Sequence, residues 1–163
     1  MKKISIGIAI LSVCGLSQAQ NYDVNLDPFQ EVPPHNTPGY GSADLILSGT
    51  TFSVSPSTGV YADLLAGATT VRLQDAAVGA NGPTLFTFNL DTPGNTSGTF
   101  SGSGTLTAGQ IIDLNAGNLY VNITDSVFPS GEIRGQIFAV PEPTTMALMG
   151  TAAVALLALR RKA

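Results

Sequence analysis

Hydrophobic and polar positions alternate in short runs through the middle of the chain. The apolar members fall at Ala43, Leu45 and Leu47, at Val60, Ala62 and Leu64, at Phe86, Phe88 and Leu90, at Leu119, Val121 and Ile123, and at Ile133, Gly135 and Ile137. A period of two sends successive side chains to opposite faces, so each triplet predicts the core-facing edge of one strand. The polar residues between them, such as Asp44, Asp63, Asn89, Asn122 and Arg134, are expected at the solvent face or the sheet ends. Gly, Pro, Asn and Ser separate the runs, and no stretch of helical period is long enough to compete. The pattern predicts an all-β domain, built as an antiparallel β-sandwich with its core between two sheets. Ser101-Gly102-Ser103-Gly104 has the composition of a linker, but it lies between Phe100 and Leu106 in a strand-like run. A glycine-rich, closely packed or bulged strand is expected there.

Both ends depart from this alternation. Lys2 and Lys3 precede an apolar run from Ile4 to Val13, and Ser17-Gln18-Ala19 offers a small-x-small cleavage site. This is the layout of a signal peptide over residues 1–19, cut by signal peptidase between Ala19 and Gln20. At the other end Val140-Pro141-Glu142-Pro143 leads into an apolar run from Thr144 to Leu159, closed by Arg160, Arg161 and Lys162. Pro141 and Pro143 lack N–H donors and restrain the residues before them, so this segment is expected to be extended and exposed. A helix over the apolar run would be about 24 Å long at roughly 1.5 Å per residue, short of a hydrocarbon core near 30 Å. Flanking side chains must snorkel or the bilayer must thin. The basic cluster should stay cytoplasmic, leaving the bulk of the chain on the far side of an inner membrane to which the helix anchors it transiently. Residues 20–139 are then the domain, and residues 140–163 a terminal address with one membrane-spanning helix.

Composition narrows the possible functions. The chain has 163 residues and a net charge of −4. Between the two ends Arg72 and Arg134 are the cations, set against many carboxylates. Nucleic acid and anionic membrane surfaces are poor partners, because phosphate recognition needs clustered Lys and Arg. The single cysteine, Cys14, leaves with the signal peptide, which excludes disulfides and thiol chemistry from the exported protein. Leu11-Ser12-Val13-Cys14 approaches a lipoprotein box but carries Val13 where a small residue is expected.

Candidate chemistry inside the domain is sparse. The one histidine, His35, follows Pro33-Pro34 in a turn-rich loop and would need partners from elsewhere, with Glu31 the nearest acid. No Gly-x-Ser-x-Gly elbow sits between a strand and a helix. No calcium loop is present either, since Asp75, Asp91, Asp113 and Asp125 are scattered singly. Glu132 and Arg134 share a strand face by their spacing, and a surface ion pair between them would contribute about 0–1 kcal/mol. A sharper expectation pairs Arg134 with Glu31, tying the first strand to the last. No cofactor is expected.

Two family resemblances sharpen this reading. The tail from Val140 to Ala163 resembles the PEP-CTERM sorting signal of Gram-negative bacteria in its Pro141-Glu142-Pro143 motif, single apolar span and Arg160-Arg161-Lys162 end. The resemblance implies recognition by an exosortase, a membrane transpeptidase-like cysteine enzyme, and delivery to the surface of cells that make exopolysaccharide and biofilm. The domain resembles CHRD domains in two signatures, the first at Phe29-Gln30-Glu31-Val32-Pro33-Pro34 and the last at Ala116-Gly117-Asn118-Leu119-Tyr120-Val121-Asn122-Ile123 followed by Phe128-Pro129-Ser130-Gly131-Glu132-Ile133-Arg134-Gly135-Gln136-Ile137. It implies an Ig-like or superoxide-dismutase-like β-sandwich from about Tyr22 to Ala139, with no enzymatic activity general to the family. Family members commonly carry a His-x-His pair and a third histidine. Here those positions fall at Val71, Leu73 and Thr124, which removes the nitrogen donors that Zn or Cu would need.

The function expected on these grounds is that of an exported, non-enzymatic cell-surface or exopolysaccharide-matrix protein. A carbohydrate- or polymer-binding module is the alternative, weakened by the absence of Trp. A metal-dependent or hydrolytic enzyme ranks third.

Overall fold

The alternating runs become ten strands, described over residues 19–141 of a computed structural model. They are β1 (Gln20–Leu26), β2 (Tyr40–Ser48), β3 (Thr51–Val54), β4 (Val60–Ala62), β5 (Ala68–Asp75), β6 (Thr84–Leu90), β7 (Gly98–Ser101), β8 (Ser103–Thr105), β9 (Leu119–Asp125) and β10 (Ile133–Ala139), with one helix, α1 (Ala108–Asn115), before β9. The expected signal sequence up to residue 18 lies outside the described residues, as do Glu142, Pro143, the apolar run Thr144–Leu159, Arg160, Arg161 and Lys162.

The expected sandwich is corrected by the pairing. The strands follow the order β1-β10-β9-β5-β6-β7-β4-β2, and β1 also pairs with β2 along its whole length, from Gln20↔Leu47 to Leu26↔Gly41. That contact closes an eight-stranded antiparallel barrel, with β3 and β8 extending its wall beyond β4 and β7. Alternation could not separate the two architectures, because a barrel wall and a sandwich sheet both present one apolar face and one polar face. What distinguishes them is the second partner of β1, a contact between residues far apart in sequence.

Inward positions form one core around Tyr22, Val24, Leu45, Phe52, Val71, Leu73, Phe100, Val121, Ile123 and Ile137. In β4 the inward residue is Tyr61, 2% exposed, while Val60 is 39% exposed. The expected phase of Val60 and Ala62 is therefore reversed, because an aromatic ring fills more of the barrel than two small side chains could. The serine-glycine run is a strand broken at Gly102, whose φ of +128° suits only glycine. At Gly104 the absence of a side chain leaves room for the Phe86 ring.

Helix α1 was not anticipated from periodicity, being only two turns long. Its start was nonetheless written in the sequence as a capping box, in which the Thr107 hydroxyl accepts from Gln110 N and the Gln110 side chain accepts from Thr107 N. Leu106 and Leu114 are buried in the core, and the Tyr22 hydroxyl donates to Asn115 Oδ1 at 2.7 Å. The helix thus covers the barrel end where β1 begins and β10 finishes.

If the ring is closed, amides of β1 pointing towards β10 and those pointing towards β2 are both hydrogen bonded. Hydrogen exchange should then find successive amides from Tyr22 to Val24 protected at similar levels. An open sandwich with β1 at an edge would leave every second one exchanging at nearly the unfolded rate.

Candidate functional site

One sector of the barrel is buried on both faces. Every residue of β9 is buried, as are Gly131 to Ile137, so polar side chains expected in solvent are enclosed instead. Asn122 is 3% exposed and Arg134 1%. Two loops cover the outward side of these strands. One follows β1, opening with a single 3₁₀ turn at Pro28–Gln30 that Asp27 caps by accepting from Phe29 N and Gln30 N. The other joins β5 to β6 and reaches the same place from the opposite end of the barrel. Asn81 Nδ2 fastens the second loop to the first by donating to Val32 O at 2.8 Å.

Arg134 organises the enclosed layer. Its guanidinium lies 3.5 Å from the centre of the Tyr120 ring. Nη1 donates to Ala80 O at 2.7 Å, and Nη2 donates to Gln136 Oε1 at 3.0 Å and Ala77 O at 3.4 Å. Gln136 continues the network, with Nε2 donating to Gly117 O and Ala76 O. The Gln136 backbone N–H donates to Gln30 Oε1 at 3.0 Å, while Asp27 and Arg134 exchange backbone hydrogen bonds. These contacts, from the first loop's Asp27 and Gln30, join the beginning of the domain to its end. Glu31 acts on Arg134 through space, each favouring the other's charged form against the cost of burial. The expected surface pair of Glu132 and Arg134 takes a different form. Both are buried on the outward side of the barrel wall, but Arg134 serves the β5–β6 loop, whereas the Glu132 carboxylate accepts from Leu65 N at the far end.

Asp125, expected as a solvated loop acid, is 1% exposed and accepts from Ala66 N at 2.9 Å and from Phe128 N. Burial and the neighbouring Asp125 push the Glu132 carboxyl upwards. This carboxyl pair clamps the loop between β4 and β5.

Glu31 is the unusual member of the enclosed layer. It is 4% exposed, and its Oε1 has no hydrogen-bond partner; the same holds for Oδ1 of Asn122. The Asn122 amide is oriented by donation from Nδ2 to Ser130 O at 3.0 Å. Both bare oxygens converge on Gly131, where a methyl group would strike them, and Gly131 has a φ of +149°. Burial raises the Glu31 carboxyl to about 7, against the opposing pull of Arg134 and of the Val32 backbone N–H. A proton on Glu31 supplies the donor that two adjoining acceptors lack.

The positions where the resemblance places family histidines do not share a face. Val71 and Leu73 point into the core, whereas Thr124 points outward, its hydroxyl 2.7 Å from that of Thr70. The outward neighbours of Thr124 in the β5–β9 register are Thr70 and, one pair along, Arg72 opposite Asn122. His35 packs on Phe128, with ring centres 4.2 Å apart. Among the described residues no group of three or more His, Cys, Asp or Glu side chains could hold a metal ion.

A recess of about 390 Å³ opens over this sector, lined by Phe29, Gln30, Glu31, Val32, Pro34, Val78, Gly79, Arg134 and Gln136. Phe29 and Val78 stand at its rim, 68% and 73% exposed. The two CHRD-like signatures therefore meet in space, at one enclosed polar layer and its recess. A family comparison matches the CHRD domain over residues 22–137, most of the chain. The chain belongs to the CHRD-domain family. A second match, over residues 139–162, is to the PEP-CTERM protein-sorting motif. This CHRD-domain protein is accordingly an exosortase-sorted, exported protein bound for the cell surface or extracellular space. No curated protein and no solved structure matches it. The sorting match begins within β10, and Ala19 and Gln20, at the expected signal cut, stand at the start of β1.

Removing the Arg134 charge strips donors from the Ala77 and Ala80 carbonyls and from the buried Gln136 Oε1. Arg134→Gln is expected to cost about 3 kcal/mol and lower Tm by on the order of 10 °C in thermal denaturation. Arg134→Lys should recover only part of this, since a lysine cannot reproduce the fork or its stacking on Tyr120.

A carboxyl whose pKa is higher folded than unfolded holds its proton more tightly in the native state. Glu31 therefore contributes fully below about 4.5, and that stability is lost as pH rises towards 7. The loss should be on the order of 2 kcal/mol, with Glu132 adding in the same direction. Glu31→Gln keeps a donor for Asn122 at every pH, so its Tm should decline less than that of the wild type between pH 4.5 and 8. Identical slopes for the two proteins would remove Glu31 from the account.

Proposed function

We propose that this protein is a non-enzymatic structural or adhesive module of the cell envelope or exopolysaccharide matrix, delivered there by exosortase sorting. The observation that carries the reading is how the signature residues are used. Gln30, Arg134 and Gln136 direct their polar groups to the protein's own backbone and side chains, and Asp125 and Glu132 do the same at the far end. Side chains engaged in this way support a scaffold and do not present themselves to a substrate. Closure of the barrel adds to this by leaving few free strand edges, a useful property at high local concentration among polymers.

A polymer-binding module is the second reading, supported by the recess and its exposed Phe29. An aromatic face beside a polar floor is a common platform for sugar rings, and Phe29 lies where such a ring could stack.

Export is tested by intact mass of the protein from the native host's surface and medium, with and without the exosortase. The sorting reading expects a product ending near Pro141 that disappears in the mutant. Co-sedimentation of the purified domain with the host's exopolysaccharide separates the two readings of its role. For a structural module, binding should be weak and unchanged by Phe29→Ala. A loss of at least fivefold on that substitution would favour the polymer-binding module.

A further inference from the structure

The sorting motif is joined to the barrel without a linker. Its match starts at residue 139, and Ala139 is the last residue of β10, paired with Tyr22 of β1. One residue further on, Val140 N still donates to Asn21 O at 2.9 Å. Pro141, the first proline of the motif, follows the hydrogen-bonded Val140 directly, at no more than about 3.6 Å of chain. A recognition groove that holds Pro141 and its neighbours must therefore come up against the barrel.

The surface it would meet carries exposed apolar side chains beside the polar Asn21 and Asp23 of β1, the latter paired with Phe138. Phe138 and Val140 share the outward side of the strand end and are 57% and 42% exposed. Beside them, in the turn that follows α1, Gly117 has a φ of +75°, and a methyl group there would touch the Phe138 ring. Ile112, 69% exposed, is on the outward side of that helix. The N-terminal boundary of the domain is next door, because β1 begins at Gln20 and runs antiparallel to β10. No Lys or Arg falls among residues 105–125 or 135–141, so nothing there favours an anionic lipid surface.

We infer that this end of the folded barrel, with Phe138 and Val140 exposed at the departure point of the tail and Ile112 exposed on the helix that covers the same end, docks on the exosortase, so that the enzyme reads a folded surface together with the Pro-Glu-Pro motif. The inference rests on the exosortase reading. It implies that sorting acts on the folded domain, since an unfolded chain would carry the motif without the surface.

The test is a pulse-chase of the full chain in cells that hold the exosortase, scoring removal of the tail by intact mass. Four proteins are compared: the wild type, the double substitution Ile112→Glu and Phe138→Glu, and each of these with a ten-residue Gly-Ser spacer between Val140 and Pro141. The charged protein without a spacer should be processed at least fivefold more slowly than the wild type, although its Tm stays within about 3 °C. The spacer should bring the two rates together, because it frees the motif from the surface. Equal rates without the spacer would overturn the docking surface. So would a slow rate that the spacer does not relieve, which would point to folding or to approach to the bilayer. If neither wild-type form loses its tail in the presence of the enzyme, the sorting reading itself fails and takes this inference with it.

Discussion

A guanidinium taken out of water must be given acceptors in the right places, and at Arg134 that requirement ties together segments from four parts of the chain. Its donors reach the β5–β6 loop at Ala77 and Ala80, its flat face lies on Tyr120 of β9, and Gln136 of its own strand completes the set. Gln136 in turn holds Gln30, from the loop after β1. Burying a charge carries a desolvation cost of several kcal/mol, which only good geometry and complete hydrogen bonding offset. The arrangement is thus more demanding than an apolar contact of the same area, and it specifies one position for each loop.

Barrel closure and this polar layer support each other. Pairing of β1 with β2 on one edge and β10 on the other brings the start of the domain against its end, and the loop after β1 can then lie across the outward side of β10. The resulting sector has an apolar inner layer and a polar outer layer, and the strand between them is buried on both sides. At the far end the Asp125 and Glu132 carboxyls hold the loop between β4 and β5 by its backbone N–H groups. Acid side chains in this protein thus serve as internal acceptors as well as solvated surface.

Much of the candidate site could be read from the residues, and what escaped had a common cause. The strand runs of β2, β6, β9 and β10 are visible as alternation, and the two signatures as motifs. Arg134 and Asn122 were expected in solvent because periodicity reports which face a side chain is on, without reporting whether a loop covers that face. Val60 was placed inward because a valine at an alternating position looks like core, whereas Tyr61 wins the interior by filling more of it. Helix α1 is too short to show a period, yet Thr107 and Gln110 mark its first turn.

By itself the sequence determined the all-β character, the tail's sorting motif and the family, since each rests on local order: a period of two, prolines at set spacing, a run of named residues. Only the tertiary structure decided that the sheet closes into a barrel, that Glu31 and Asn122 meet at Gly131, and that the sorting motif starts while the chain is still hydrogen bonded to β1. These are contacts between residues roughly ten to more than one hundred positions apart, and alternation along a strand is the same whichever partner the strand finds.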